Sequence, residues 1–125
     1  MQLYYKLVGK EIVPVSDVME WAMSFQDNDN RVVKQTNIGK IFVSTVFLGI
    51  DHRWGDGKPV LFETMIFGGK QDQYQKRYCT YDESLAGHIS ACNKVKKANH
   101  YFNENKILKK QTIKTRKEWK TILKG

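Results

Sequence analysis

The residues best equipped for chemistry cluster in two short stretches. The first is Asp51-His52-Arg53-Trp54-Gly55-Asp56-Gly57-Lys58, which sets carboxylates, an imidazole and two cations close together. Arg and Lys can hold phosphate or carboxylate groups, Arg through its planar fork. The glycines let a backbone approach a ligand closely. No helix is expected directly after this stretch, which excludes a P-loop or a dinucleotide-binding turn, since both open into a helix N-terminus. The second stretch is Arg77-Tyr78-Cys79-Thr80-Tyr81, with His88 beyond it. Tyr78 and Tyr81 are the residue type that stacks on nucleobases, and equally the type that packs half-buried at a sheet edge. Between the two stretches, Glu63 interrupts the apolar run VLFETMIF. An unpaired buried carboxylate is costly, so Glu63 is expected on a wet face or in an ion pair, with Arg77 as its partner.

Grouped as a metal site, His52, Glu63 and His88 match no zinc spacing, and no metal or cofactor is expected. A Cys79–His88 nucleophile pair lacks a third, orienting group. Cys79 and Cys92 are too few for a disulfide framework and read as free thiols in a reducing compartment. No catalytic residue is assigned, and an enzyme ranks last among the functional readings. The candidate ligand-binding residues are Asp51, His52, Arg53, Lys58, Glu63, Arg77, Tyr78 and His88.

The elements that must position these groups follow from pattern. Leu3–Val8 and Glu11–Val15 read as strands joined by Gly9-Lys10. Ser16-Asp17 can cap a helix, whose face is expected to hold Val18, Trp21, Ala22 and Phe25. Asp27–Asn30 ends it in a polar turn. Arg31–Thr36 reads as a strand and Asn37-Ile38-Gly39 as a turn. Lys40–Gly49 (KIFVSTVFLG) is the strongest strand, and its continuous apolar character predicts burial on both faces. Val60–Phe67 is its antiparallel partner across the loop Asp51–Pro59. Alternation sets Leu61, Glu63 and Met65 on one face and Phe62, Thr64 and Ile66 on the other. Lys76–Cys79 is a short strand. Thr80 and Glu83 have capping-box spacing at the start of a helix running from Tyr81 to about Phe102, with an apolar stripe of Leu85, Ile89, Cys92 and Val95. Gly87 inside this helix implies close packing against the sheet.

The fold class is therefore α+β: a mainly antiparallel sheet packed by an N-terminal helix and a long C-terminal helix, followed by a basic helical tail. The boundaries are 1–103 for the core and 104–125 for the tail, within the size of one domain. Residues 1–92 carry 10 Lys/Arg against 11 Asp/Glu, whereas residues 93–125 carry 11 against 2. A neutral body with a basic tail points to an anionic partner. The candidate nucleic-acid contacts in the tail are Lys109, Lys110, Lys114, Arg116, Lys117 and Lys120, although the tail has no helix-turn-helix, zinc-finger or RNP signature. The longest apolar runs are far short of a membrane span of about 20 residues, and the N-terminus lacks the apolar core of a signal peptide. A soluble, cytoplasmic protein is expected.

The blocks FVSTVFLGIDHRWGDGKPVLFETMIFGG (Phe42–Gly69) and RYCTYDESLAGH (Arg77–His88) resemble a family of small tailed-phage and prophage proteins of unassigned activity, with STVFLG-DH, FETM-FGG and RY-T-E-GH blocks. The resemblance spans roughly Leu3 to Cys92 and leaves the lysine-rich tail outside. It implies a phage-encoded accessory protein acting in the bacterial host cytoplasm. The leading expectation is a non-enzymatic binder of an anionic, nucleotide-type small molecule that counters a host defence system. The alternatives are a nucleic-acid-binding protein using its tail, or a protein–protein inhibitor of a host immune complex. A small sequestering protein often shares its pocket between subunits, so a homo-oligomer belongs among the expected forms.

Overall fold

Residues 41–47 (IFVSTVF) are dominated by β-branched and aromatic side chains, which suit a strand, and they form one of the two central strands of the sheet. A computed structural model describes residues 2–26 and 30–99. Its strands are β1 (Tyr4–Val8), β2 (Glu11–Val15), β3 (Val32–Ile38), β4 (Ile41–Phe47), β5 (Phe62–Phe67) and β6 (Gln75–Tyr78). Its helices are α1 (Val18–Ser24) and α2 (81–99). β1 and β2 form an antiparallel hairpin, and β3-β4-β5-β6 form a four-stranded antiparallel meander. The class is α+β, as the sequence predicts, with a long C-terminal helix and a small N-terminal one. The expected tail helix, its six candidate contacts, Phe102 and the 27–29 part of the polar turn lie outside the described residues.

The β3–β4 turn is tighter than the sequence predicts. Ile38 pairs with Ile41, so the strand runs through Asn37 and Ile38 and only Gly39-Lys40 turn. Burial on both faces of β4 is also not what forms. Val43, Thr45 and Phe47 are buried, while Phe42, Ser44 and Val46 are half-buried. Among the described residues the buried clusters lie on one face of the sheet. There Val43 and Ile66 meet Ala91, Cys92 and Val95 of α2. Beside them, Phe47, Phe62 and Tyr78 meet Tyr5, Leu7 and Ile12 of the hairpin. Leu61, just ahead of β5, joins that second cluster, so the expected alternation holds for residues 62–66 but not for it.

The start of α2 forms one half of the expected capping box, since the Glu83 carboxylate bonds the Thr80 hydroxyl and not its backbone N–H. Glu83 N–H donates to Thr80 Oγ1 at 3.1 Å, and the Thr80 hydroxyl donates to Glu83 Oε1 at 2.9 Å. The expected stripe is displaced: Ile89 is 50% exposed, and the buried residues are Ser84, His88, Ala91, Cys92 and Val95. Two threonines at the middle of the covered sheet face, Thr45 and Thr64, explain the shift, because they favour a polar partner over an aliphatic one. Gly87 is the point of closest approach. A Cβ there would fall 2.0 Å from the Tyr78 hydroxyl, so any larger residue would displace either the Tyr78 ring or α2.

Asp17 caps α1, accepting from Met19 N–H at 2.9 Å. The predicted face is narrower than four residues. Trp21 and Phe25 turn inward, whereas Val18 and Ala22 are exposed, because this seven-residue helix touches the hairpin along one edge. Trp21 Nε1–H donates to the Gly49 carbonyl at 3.1 Å, and Tyr5 N–H donates to the same oxygen at 2.8 Å. A Cβ on Gly49 would lie 2.0 Å from the Phe25 ring. Glycine is thus required where α1, β1 and the end of β4 meet. Among the described residues no helix is long and apolar enough to cross a membrane.

Candidate ligand-binding loop and the polar groups of the sheet

The loop from Asp51 to Val60 joins β4 to β5 and is closed at its neck by one side chain. Asp51 Oδ1 accepts from Arg53 N–H and from Val60 N–H, both at 2.9 Å. His52 N–H donates to the Val60 carbonyl at 3.0 Å. Arg53 Nε lies 2.8 Å from Asp51 Oδ2, but its N–H is poorly aligned and no hydrogen bond forms, so the contact is an ion pair. Arg53 also donates to the Gly57 carbonyl. The Asp51 side chain is only 4% exposed. Asp51 and Arg53 are thereby committed to holding the loop's shape.

What the loop displays is Trp54, 96% exposed. Exposed His52 and Lys58 accompany it, and open space surrounds Gly55 and Gly57. Burying a tryptophan removes a large apolar area from water. A loop tied at its neck that leaves one entirely in solvent therefore presents a surface suited to a flat or apolar partner.

The remaining candidates separate onto two faces of the sheet. Glu63 and Arg77 are cross-strand partners, and Arg77 Nε–H donates to Glu63 Oε2 at 2.9 Å. Gln75 donates to the same oxygen. The Glu63 side chain is 11% exposed and that of Arg77 40%.

Tyr78 lies on the opposite face, beneath α2, and His88 points down to that face from α2 itself. His88 is 1% exposed. Its Nδ1 bonds Thr45 Oγ1 at 2.7 Å, its Nε2 bonds Thr36 Oγ1 at 2.8 Å, and Thr45 bonds Thr64 at 2.6 Å. A neutral ring donates through one nitrogen and accepts through the other, so a row of hydroxyls can satisfy it in either tautomer. Burial pushes the His88 pKa down, and the charge of Lys34 adds to the effect. Burial pushes the Tyr78 phenol up, partly offset by the Thr64 hydroxyl, although the phenol oxygen makes no well-formed hydrogen bond.

The eight candidates therefore do not meet in one pocket. Asp51, His52, Arg53 and Lys58 belong to the loop, Glu63 and Arg77 to one face, and Tyr78 and His88 to the other. Tyr78 and His88 are enclosed, so neither presents a surface to a ligand. His52, Glu63 and His88 do not converge, and among the described residues no three His, Cys, Asp or Glu side chains are grouped to hold a metal ion. Cys79 approaches the Lys58 carbonyl at 3.9 Å, whereas both His88 ring nitrogens are taken by threonines. An apolar cleft of about 260 Å³, lined in part by Ile41, Val95 and Ala98, holds none of the eight.

Sequence reasoning named Trp54 only as part of the loop and Thr64 only as a member of an alternating strand, and it gave Thr36 and Thr45 no role. A usable signal was alternation within each strand, which sets Thr45 on the side of Phe47 and Thr64 on the side of Phe62. Comparison with protein-family models, curated proteins and solved structures finds no match to this chain.

Proposed function

We propose that this protein is a non-enzymatic binder of an anionic, nucleotide-type ligand and that the Asp51–Val60 loop makes the contact. The observation that supports this reading is Trp54, 96% exposed on a loop whose neck is fixed by Asp51. An exposed indole offers a base a stacking surface, and Lys58 supplies a cation for phosphate. Pre-fixing the loop lowers the ordering cost of binding. In the setting implied by the phage resemblance, such binding withholds a nucleotide signal from a host defence system.

The test is a thermal-shift panel of mononucleotides, cyclic nucleotides and ADP-ribose-type compounds. A ligand at about 100 times its Kd stabilises the folded state by about 2.7 kcal/mol, and Trp54→Ala should abolish that shift while leaving the unliganded Tm unchanged. No shift with any compound rejects the reading.

A second reading, an inhibitor that docks on a host protein, is favoured by α1. There Val18, Met19 and Met23 are 49%, 67% and 62% exposed, and methionine adapts well to varied partners. Replacing Met19 and Met23 with Ser should abolish capture of a host protein in a pull-down, and unchanged capture would exclude α1.

A further inference from the structure

The sheet face turned away from α2 carries an aromatic pair that the loop reading does not use. Phe42 on β4 and Phe67 on β5 are direct cross-strand partners. Their rings are stacked, with centroids 6.1 Å apart and planes inclined at 26°. Neither belongs to a core cluster, and Phe67 is 39% exposed. The next rung holds Ser44, whose hydroxyl oxygen accepts from Gln35 Nε2 at 3.3 Å.

Electrostatics narrow the choice of partner. Glu63 is the one carboxylate at the strand positions of this face, and Arg77 and Gln75 already occupy it. Lys40 is exposed in the β3–β4 turn at the aromatic end, whereas Lys70, in the β5–β6 turn, lines the cleft on the α2 side with Ile41 and Val95. Asp72 shares the second turn, but its Oδ1 is engaged by Gly68 N–H at 2.7 Å.

We infer that this face binds single-stranded nucleic acid, with Phe42 and Phe67 stacking on its bases and Lys40 meeting its phosphates. An exposed Phe67 beside a half-buried Phe42 suits unpaired bases, whose flat faces a duplex hides. The amide of Gln35 and the hydroxyl of Ser44 are groups that hydrogen-bond base edges. This surface is separate from the Trp54 loop, which leaves β4 at its other end, after Phe47.

The experiment measures fluorescence anisotropy of a labelled oligothymidine, and of a duplex of the same length, with the full chain at low and high salt. The single strand should bind more tightly than the duplex. Phe67→Leu and Phe42→Leu keep apolar volume but remove the stacking surface, and each should weaken single-strand binding by about tenfold. Phe67→Trp should restore it, and Trp54→Ala should leave it intact. Circular dichroism melts confirm that each variant folds. No binding, or single-strand binding that survives Phe67→Leu in a folded protein, overturns the proposal. Equal affinity for duplex and single strand also overturns it and transfers the activity to the lysine-rich tail. Loss in Trp54→Ala without loss in Phe67→Leu overturns it while leaving the loop reading standing.

Discussion

Beneath α2, His88, Thr45 and Thr64 meet at 2.6–2.7 Å out of reach of solvent. On the reverse of the same strands, Glu63 meets Arg77 at 2.9 Å with that guanidinium side chain 40% exposed. The covered face uses neutral groups that satisfy one another, because an unpaired polar group there has no water to turn to. The other face carries full charges, because the buried Glu63 carboxylate is met by Arg77 and Gln75 and water reaches the Arg77 end of the pair. The same difference separates the residues able to meet a ligand from those that hold the fold.

The sharpest way to break this comparison is at Gly87. Adding one methyl places a Cβ 2.0 Å from the Tyr78 oxygen and 2.1 Å from its Cζ. Gly87→Ala should destabilise the protein by about 3 kcal/mol from overpacking, against a gain of about 1 kcal/mol in helix propensity. A urea melt showing net stabilisation would mean that α2 does not seat on Tyr78.

Next in size is His88→Leu, which removes a bonding partner from both Thr36 and Thr45. A loss of about 2 kcal/mol is expected from the stranded hydroxyls. A variant as stable as the parent would show that the network adds nothing beyond packing.

The pH dependence should be smaller. His88 titrates below the ordinary imidazole range in the folded state and near 6.5 when unfolded. Between those two values the unfolded chain binds a proton that the folded chain does not. Its contribution to stability is therefore full above about pH 6.5 and falls as pH drops through that value. Unfolding free energies measured from about pH 5 to about pH 8 should show this slope, and His88→Leu should flatten it.

Least affected should be the open face. A double-mutant cycle of Glu63→Gln and Arg77→Ala should give a coupling of about 1 kcal/mol or less, in keeping with a partly solvated pair. A coupling of several kcal/mol would mean that this face is effectively dry.

Much of the frame was legible because local chemistry dictates it. Asp17 and Thr80 announce helix starts through side chains that bond nearby backbone or cap groups. Glu63 and Arg77 could be paired from strand positions alone. Hydropathy failed at Ile89 and His88, where it ranks isoleucine as the inward residue. The inward residue is decided by what faces it, and here the facing residues are threonines. Convergence of the eight candidates was not legible as a set. Yet strand alternation alone separates Arg77 from Tyr78, since adjacent strand residues face opposite ways. Full exposure of Trp54 depends on how the Asp51 neck closes the loop, a tertiary fact beyond composition.

That neck has an implication for how such a protein can diversify. Because Asp51 binds the amide of Val60 on the far side of the loop, the strands entering and leaving it are tied together ahead of whatever lies between. Residues 54–59 then behave as a cassette. Their identities can be rewritten by selection, or exchanged for a foreign peptide by an engineer, while the β4–β5 register stays in place.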